Sequence, residues 1–143
     1  MDLKALIREI PDFPQPGISF KDISTVIGNA KAFHYIVEEL AKGFRGDRPE
    51  VVVGIESRGY IIGAPLAYAL GAGFILVRKP GKLPAATERI EYTLEYGENA
   101  LEIHKDAIRP GQRVLIVDDI LATGGTVSAT AELVRRLGGE IIG

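Results

Sequence analysis

The chain has 143 residues, 46% of them hydrophobic and 25% charged, with a formal net charge of −2 at pH 7. That length suits one domain burying roughly two-thirds of the surface its unfolded form exposes. The near-neutral charge excludes the broad basic field of a nucleic-acid binder. No cysteine is present, which excludes disulfides and thiolate metal sites and fits a reducing cytoplasm.

The predicted elements follow in chain order. Charged residues interrupt the apolar ones in MDLKALIREI, so the N-terminus reads as neither a signal peptide nor a membrane span. Leu3, Leu6, Ile7 and Ile10 fall at helical spacing and predict a short helix ended by Pro11. A stiff stretch, 11–17, leads into Ile18-Ser19-Phe20-Lys21-Asp22. Phe33, Ile36, Val37 and Leu40 form the apolar face of a helix over about 30–43. Val51 to Ile55 is an unbroken apolar run, as expected of a strand buried on both faces. A helix over about 59–70, then Gly71 and a strand from Phe74 to Val77, come next. Residues 78–100 read as irregular or hairpin-like: Ile90, Tyr92, Leu94 and Tyr96 alternate with Glu91, Thr93 and Glu95. His104-Lys105-Asp106-Ala107 reads as helix-like, and Arg113 to Val117 as a third buried strand. A helix over 124–137 carries Val127, Ala131, Val134 and Leu137, with Gly138-Gly139 as its stop. Strand, helix, strand, then strand, helix predicts an α/β domain with a mostly parallel sheet and right-handed crossovers.

In open parallel sheets, ligands bind beyond the carboxyl ends of the strands. Three loops belong there. After the third strand come Asp118-Asp119-Ile120-Leu121-Ala122-Thr123-Gly124-Gly125-Thr126. Adjacent carboxylates at the tip of an apolar strand repel unless something cationic or donor-rich binds there. The glycines admit an anion close to the backbone, and the helix start adds free N–H groups. Carboxylates for sugar hydroxyls beside a donor nest for a phosphate describe a ribose 5-phosphate site. The first strand is followed by Glu56-Ser57-Arg58-Gly59. The third loop, 78–99, is long for a compact domain and holds Arg78, Lys79 and Lys82. It reads as a basic lid that closes to exclude water.

The run from Val114 to Thr126 resembles the phosphoribosyl pyrophosphate (PRPP) signature of type I phosphoribosyltransferases. The resemblance implies that fold, with a hood and N-terminal helix over 1–29, a PRPP-binding core over 30–143 and a lid over about 78–100. It implies that Asp118 and Asp119 hold the ribose and Ala122, Thr123, Gly124, Gly125 and Thr126 the 5′-phosphate. Ser57 and Arg58 would meet the pyrophosphate, with a cis peptide between Glu56 and Ser57. Arg78, Lys79 and Lys82 would join them from the lid.

Pro11-Asp12-Phe13-Pro14, Pro16-Gly17-Ile18, Phe20-Lys21-Asp22-Ile23 and Glu95-Tyr96-Gly97 resemble the adenine-specific branch of that family. This implies adenine plus PRPP giving AMP and pyrophosphate, with Phe20 stacking on the base and backbone groups of Ser19 and Lys21 reading its edge. Glu95 would handle a proton beside the base, with Tyr96 its lid neighbour. The family also implies Mg²⁺ carried by the substrate, a homodimer, a cytoplasmic location and no nucleic-acid or membrane partner. A hypoxanthine or guanine enzyme, and a non-catalytic PRPP-sensing regulator, are the alternative readings. His34 and His104 have no second ligand at metal spacing and are expected at the surface or half-buried. Members of the family commonly run some tens of residues further. The chain is therefore expected to be a truncated or minimal version, ending at Ile141 and Ile142 in a short edge strand.

Overall fold

The computed structural model describes residues 1–94 and 97–143. It divides into two compact units, Met1–Leu40 and Ala41–Gly143.

In the first unit the predicted helix over residues 3–10 is replaced by a single 3₁₀ turn, Lys4–Leu6, and a strand β1, Arg8–Ile10. One turn fixes several dihedrals for few hydrogen bonds, so such a helix needs tertiary support to grow. Here a competing partner wins. β1 pairs antiparallel with β2, Phe20–Asp22, and cross-strand ion pairs Arg8–Asp22 and Glu9–Lys21 fasten it. The connection turns through Asp12 and Gly17, both at positive φ, and the Asp12 carboxylate accepts the Gly17 N–H at 2.9 Å. Phe13, before a cis Pro14, meets the Phe20 ring edge-on at 5.2 Å. A short helix α1, Ser24–Ile27, precedes α2, Ala30–Phe44.

The second unit is built on a four-stranded sheet. Its members are β3 (Val51–Ile55), β4 (Gly73–Val77), β7 (Arg113–Val117) and β8 (Glu140–Ile141). Their order is β4-β3-β7-β8, and every pairing is parallel. Helix α3, Arg58–Leu70, links β3 to β4, and α4, Gly125–Arg136, links β7 to β8. A separate antiparallel pair, β5 (Thr87–Leu94) and β6 (Gly97–His104), lies between β4 and β7 in sequence. His104 is therefore the last residue of a strand, paired with Thr87, and not part of a helix. Val53, Ile103, Val114, Leu133 and Val134 share one core, so the β5–β6 pair is rooted in the same apolar interior as the sheet. β8 forms the sheet edge expected at Ile141.

A wedge fixes the crossing of α3 on the sheet. A Cβ built on Gly54, in the middle of β3, would stand 2.5 Å from the Phe74 ring, and one on Gly63 of α3 2.9 Å from it. The Tyr60 ring closes the third side, perpendicular to Phe74 at 5.8 Å. Gly54→Ala should therefore overpack this site and destabilise the fold by about 1–3 kcal/mol. Urea denaturation measures it, with a neutral substitution showing that the ring moves aside freely.

Candidate active site

The register of the sheet brings three loops together. Ile55 lies opposite Val77, and Gly54 opposite both Leu76 and Val117. Glu56, Arg78 and Asp118 consequently leave neighbouring strands at almost the same level, each about 4.8 Å from the next strand. Glu56 and Asp118 line a cavity of ≈ 560 Å³, whereas Arg78 is not among its lining residues. Of the predicted residues, Ser57, Arg58, Lys79, Lys82, Asp118, Asp119 and Thr126 line it.

Two of the carboxylates here, Asp119 and Glu56, are paired with neighbouring cations. Arg58 Nε lies 2.8 Å from Asp119 Oδ2, and the Asp119 side chain is only 8% exposed. Asp118 Oδ1 accepts the Asp119 N–H at 2.9 Å. α3 starts so close to β7 that a Cβ on Gly59 would meet Asp118 Oδ1 at 3.0 Å and the Val117 carbonyl at 3.1 Å. On the other wall, Glu56 Oε1 accepts the Lys79 N–H at 2.9 Å, while Oε2 accepts from Lys82 Nζ at 2.8 Å and an Arg78 terminal nitrogen at 3.2 Å. The peptide between Glu56 and Ser57 is cis, as the family resemblance implied.

The two walls differ in their electrostatics. Burial opposes the charge on Glu56, but Lys82, the Lys79 N–H and Arg78 together outweigh it and hold the carboxyl at about 2. For Asp118 burial prevails: with the hydrogen bond and charge of Asp119 added, it outweighs the Asp119 N–H and Arg58 and raises the carboxyl to about 6. Among the described residues, Arg78 Nε is the buried side-chain polar atom without a hydrogen-bond partner.

The glycine-rich loop is built as a helix entry. Gly124 takes a positive φ of 85°, and the Thr123 hydroxyl accepts the Gly125 N–H at 3.3 Å. Ala122 and Thr123 are exposed, and Thr126 is the member of the loop that reaches the cavity. Its Oγ1 lies 3.3 Å from the Tyr92 hydroxyl of β5.

Glu56 and Tyr92, with Asn99 and Leu101 of β6, are lining residues that the sequence reading assigned no role. The alternation of Ile90, Tyr92 and Leu94 was the available signal for Tyr92, since it put the ring on the inward face. Ser19, Phe20 and Lys21 belong to the first unit, Phe20 and Lys21 within β2. Glu95 and Tyr96 lie outside the described residues. His34 is exposed, and His104 is half-buried and accepts the Ala85 N–H at 3.3 Å.

No group of three or more metal-ligating side chains occurs among the described residues. Two adjacent carboxylates, one already paired with Arg58, are too few to cage a hard divalent cation. They suit one whose other ligands come from a substrate and water. Nor is any described helix long and apolar enough to cross a membrane.

The family model "Phosphoribosyl transferase domain" matches residues 24–143. An adenine phosphoribosyltransferase of Chloroflexus aurantiacus is 59% identical over 98% of this chain and 81% of its own. One of Synechocystis is 57% identical, over 100% and 84% respectively. The solved adenine phosphoribosyltransferase of Thermoanaerobacter pseudethanolicus superposes with a TM-score of 0.94 at 59% identity, covering 98% of this chain and 81% of that one. The Giardia lamblia enzyme, solved with 9-deazaadenine, also gives 0.94, at 40% identity over 98% and 80%. The chain belongs to the phosphoribosyltransferases, a family of pentosyl-transferring enzymes, and within them to the adenine phosphoribosyltransferases.

Because the folded Asp118 carboxyl titrates near 6, above its ordinary 3.8, its ionised form destabilises the fold. That penalty is complete above about pH 6 and gone below about pH 4. Asp118→Asn should accordingly melt a few degrees above the parent at pH 8, and the difference should shrink to nothing as the pH falls through 6 towards 4. Calorimetric scans at several pH values test this, and a pH-independent difference would assign the effect to packing.

Proposed function

We propose that this chain transfers the 5-phosphoribosyl group of PRPP to adenine, yielding AMP and pyrophosphate. The observation that carries the reading is one cavity whose lining brings the acidic pair Asp118 and Asp119 together with the cations Arg58, Lys79 and Lys82. Asp118 and Asp119 orient the ribose through its hydroxyls, and the 122–126 loop anchors the 5′-phosphate on N–H groups at the start of α4. Ser57, Arg58, Arg78, Lys79 and Lys82 stabilise the charge that gathers on pyrophosphate as the glycosidic bond breaks. Mg²⁺ carried by the substrate would supply charge neutralisation at the pyrophosphate. Asp118 and Asp119 are the side chains available beside it.

Phe20 stacks on adenine, and backbone groups of Ser19 and Lys21 match its alternating donors and acceptors. A 6-oxopurine reverses that pattern and leaves buried groups unpaired, which discriminates by orders of magnitude. Glu95 exchanges a proton with the base, and Tyr96 flanks it. Relatives crystallised with adenine and with 9-deazaadenine support the choice of base.

Competition between adenine, hypoxanthine and guanine for PRPP tests the reading, with adenine expected to dominate. In the same assay Glu95→Gln should lower turnover about 10²–10⁴-fold with little change in the Michaelis constant for PRPP. Equal use of hypoxanthine would sink the adenine assignment, and a loss below threefold would remove Glu95 from the chemistry.

The molecule acts as a homodimer. Support comes from α3, which exposes Ile61, Ala64 and Tyr68 at successive turns, Tyr68 at 90%, while the edge strand β4 exposes Leu76. Light scattering should give twice the chain mass for the parent and the single mass for Tyr68→Glu. A monomeric parent refutes the dimer.

A further inference from the structure

The most completely bonded group in the cavity is one the reaction does not require. Glu56 is the first residue beyond β3, and its side chain is 9% exposed. Both of its oxygens are occupied, and all three donors come from 78–82: the Lys79 N–H, Lys82 and Arg78. Two cations and a backbone N–H around one compact anion are the set a terminal phosphate would attract. Each donor spent on Glu56 is withheld from a ligand.

The segment does not depend on Glu56 for its position. Arg78 and Glu102 exchange backbone hydrogen bonds at 3.0 and 2.8 Å, bridging the start of the segment to β6. The Glu102 carboxylate accepts the Gly81 N–H at 2.8 Å and the Thr87 hydroxyl at 2.8 Å. Glu102 does not line the cavity, whereas Glu56, Lys79 and Lys82 do. One carboxylate thus seats the loop from outside, and the other neutralises it from within.

We propose that Glu56 is the resident counter-ion of the pyrophosphate subsite, and that the incoming pyrophosphate group must replace its bonds to Lys82 and Arg78. The inference rests on the reading of the cavity given above. It makes pyrophosphate binding an exchange of anions on the same cations, and so holds the affinity for that group below what the cations alone would give. A leaving group held more loosely is also released sooner.

Titration calorimetry with inorganic pyrophosphate in magnesium buffer decides the matter. Glu56→Gln keeps the size of the side chain and an acceptor for Lys79 while removing the charge. It should bind pyrophosphate roughly tenfold more tightly than the parent. Glu56→Asp keeps the charge but is one methylene too short to hold all three donors, so it should fall between them. The Michaelis constant for PRPP and the turnover number should both decline in the same order. Damage to the fold weakens binding, so a merely structural role predicts the reverse series. A flat or reversed order overturns the proposal, and should Glu56→Gln fail to fold, the parent and Glu56→Asp alone give the sign. A parent chain that binds neither pyrophosphate nor PRPP overturns the cavity reading and this inference with it. A parent that binds both, with a flat series, overturns only the inference.

Discussion

The parallel pairing of β3 between β4 and β7 is the constraint on which the site depends. Side chains alternate along a strand, so a slip of one residue would turn every inward group outward. Here Val51, Val52 and Val53 sit opposite Gly73, Phe74 and Ile75 on one side and Val114, Leu115 and Ile116 on the other. With that register, Glu56, Arg78 and Asp118 emerge together. The same register brings the Phe74 ring over Gly54, where only a hydrogen leaves it room. Strand pairing, the seating of α3 and the meeting of the three loops are therefore one arrangement, and none can shift without the others.

The charges at the mouth of the sheet are balanced internally. Arg58 meets Asp119, and Glu56 meets Arg78 and Lys82. Unpaired charges in a half-buried cleft would be costly, and mutual pairing removes most of that cost. Asp118 is the group the scheme leaves over. Its main partner is a single backbone N–H, and its neighbour carries the same charge as its own ionised form. A ligand entering this cleft changes partners around charges that are already accommodated.

What the sequence disclosed and what it withheld divide along a physical line. Val51–Ile55 and Arg113–Val117 stand where the apolar runs put them, because strands covered on both faces must be apolar throughout. The Asp-Asp pair and the glycine-rich entry to α4 were legible for a similar reason, since their chemistry is local. Errors arose where a distant segment decided the outcome. Leu3, Leu6, Ile7 and Ile10 have helical spacing, yet Phe20–Asp22 captures Arg8–Ile10 as a strand. Residues after 103 look helical in isolation, yet Thr87 holds His104 in β6. Likewise the acidic pair could be seen, but not that Arg58 neutralises one member, nor that Glu56 occupies the basic wall. Those pairings are properties of the register.

The position of Asp118 has a consequence for proton accounting. A carboxyl titrating near 6 is partly protonated in mildly acidic solution, and a donor arriving beside it, such as the ribose hydroxyl of the proposed substrate, favours the ionised form. On that proposed role, binding at such a pH expels a fraction of a proton into the medium. The heat of association then includes the ionisation enthalpy of whichever buffer takes up that proton. Two buffers of equal pH but different ionisation enthalpies would give different apparent heats for one and the same event, and their difference counts the net protons released, to which Asp118 contributes.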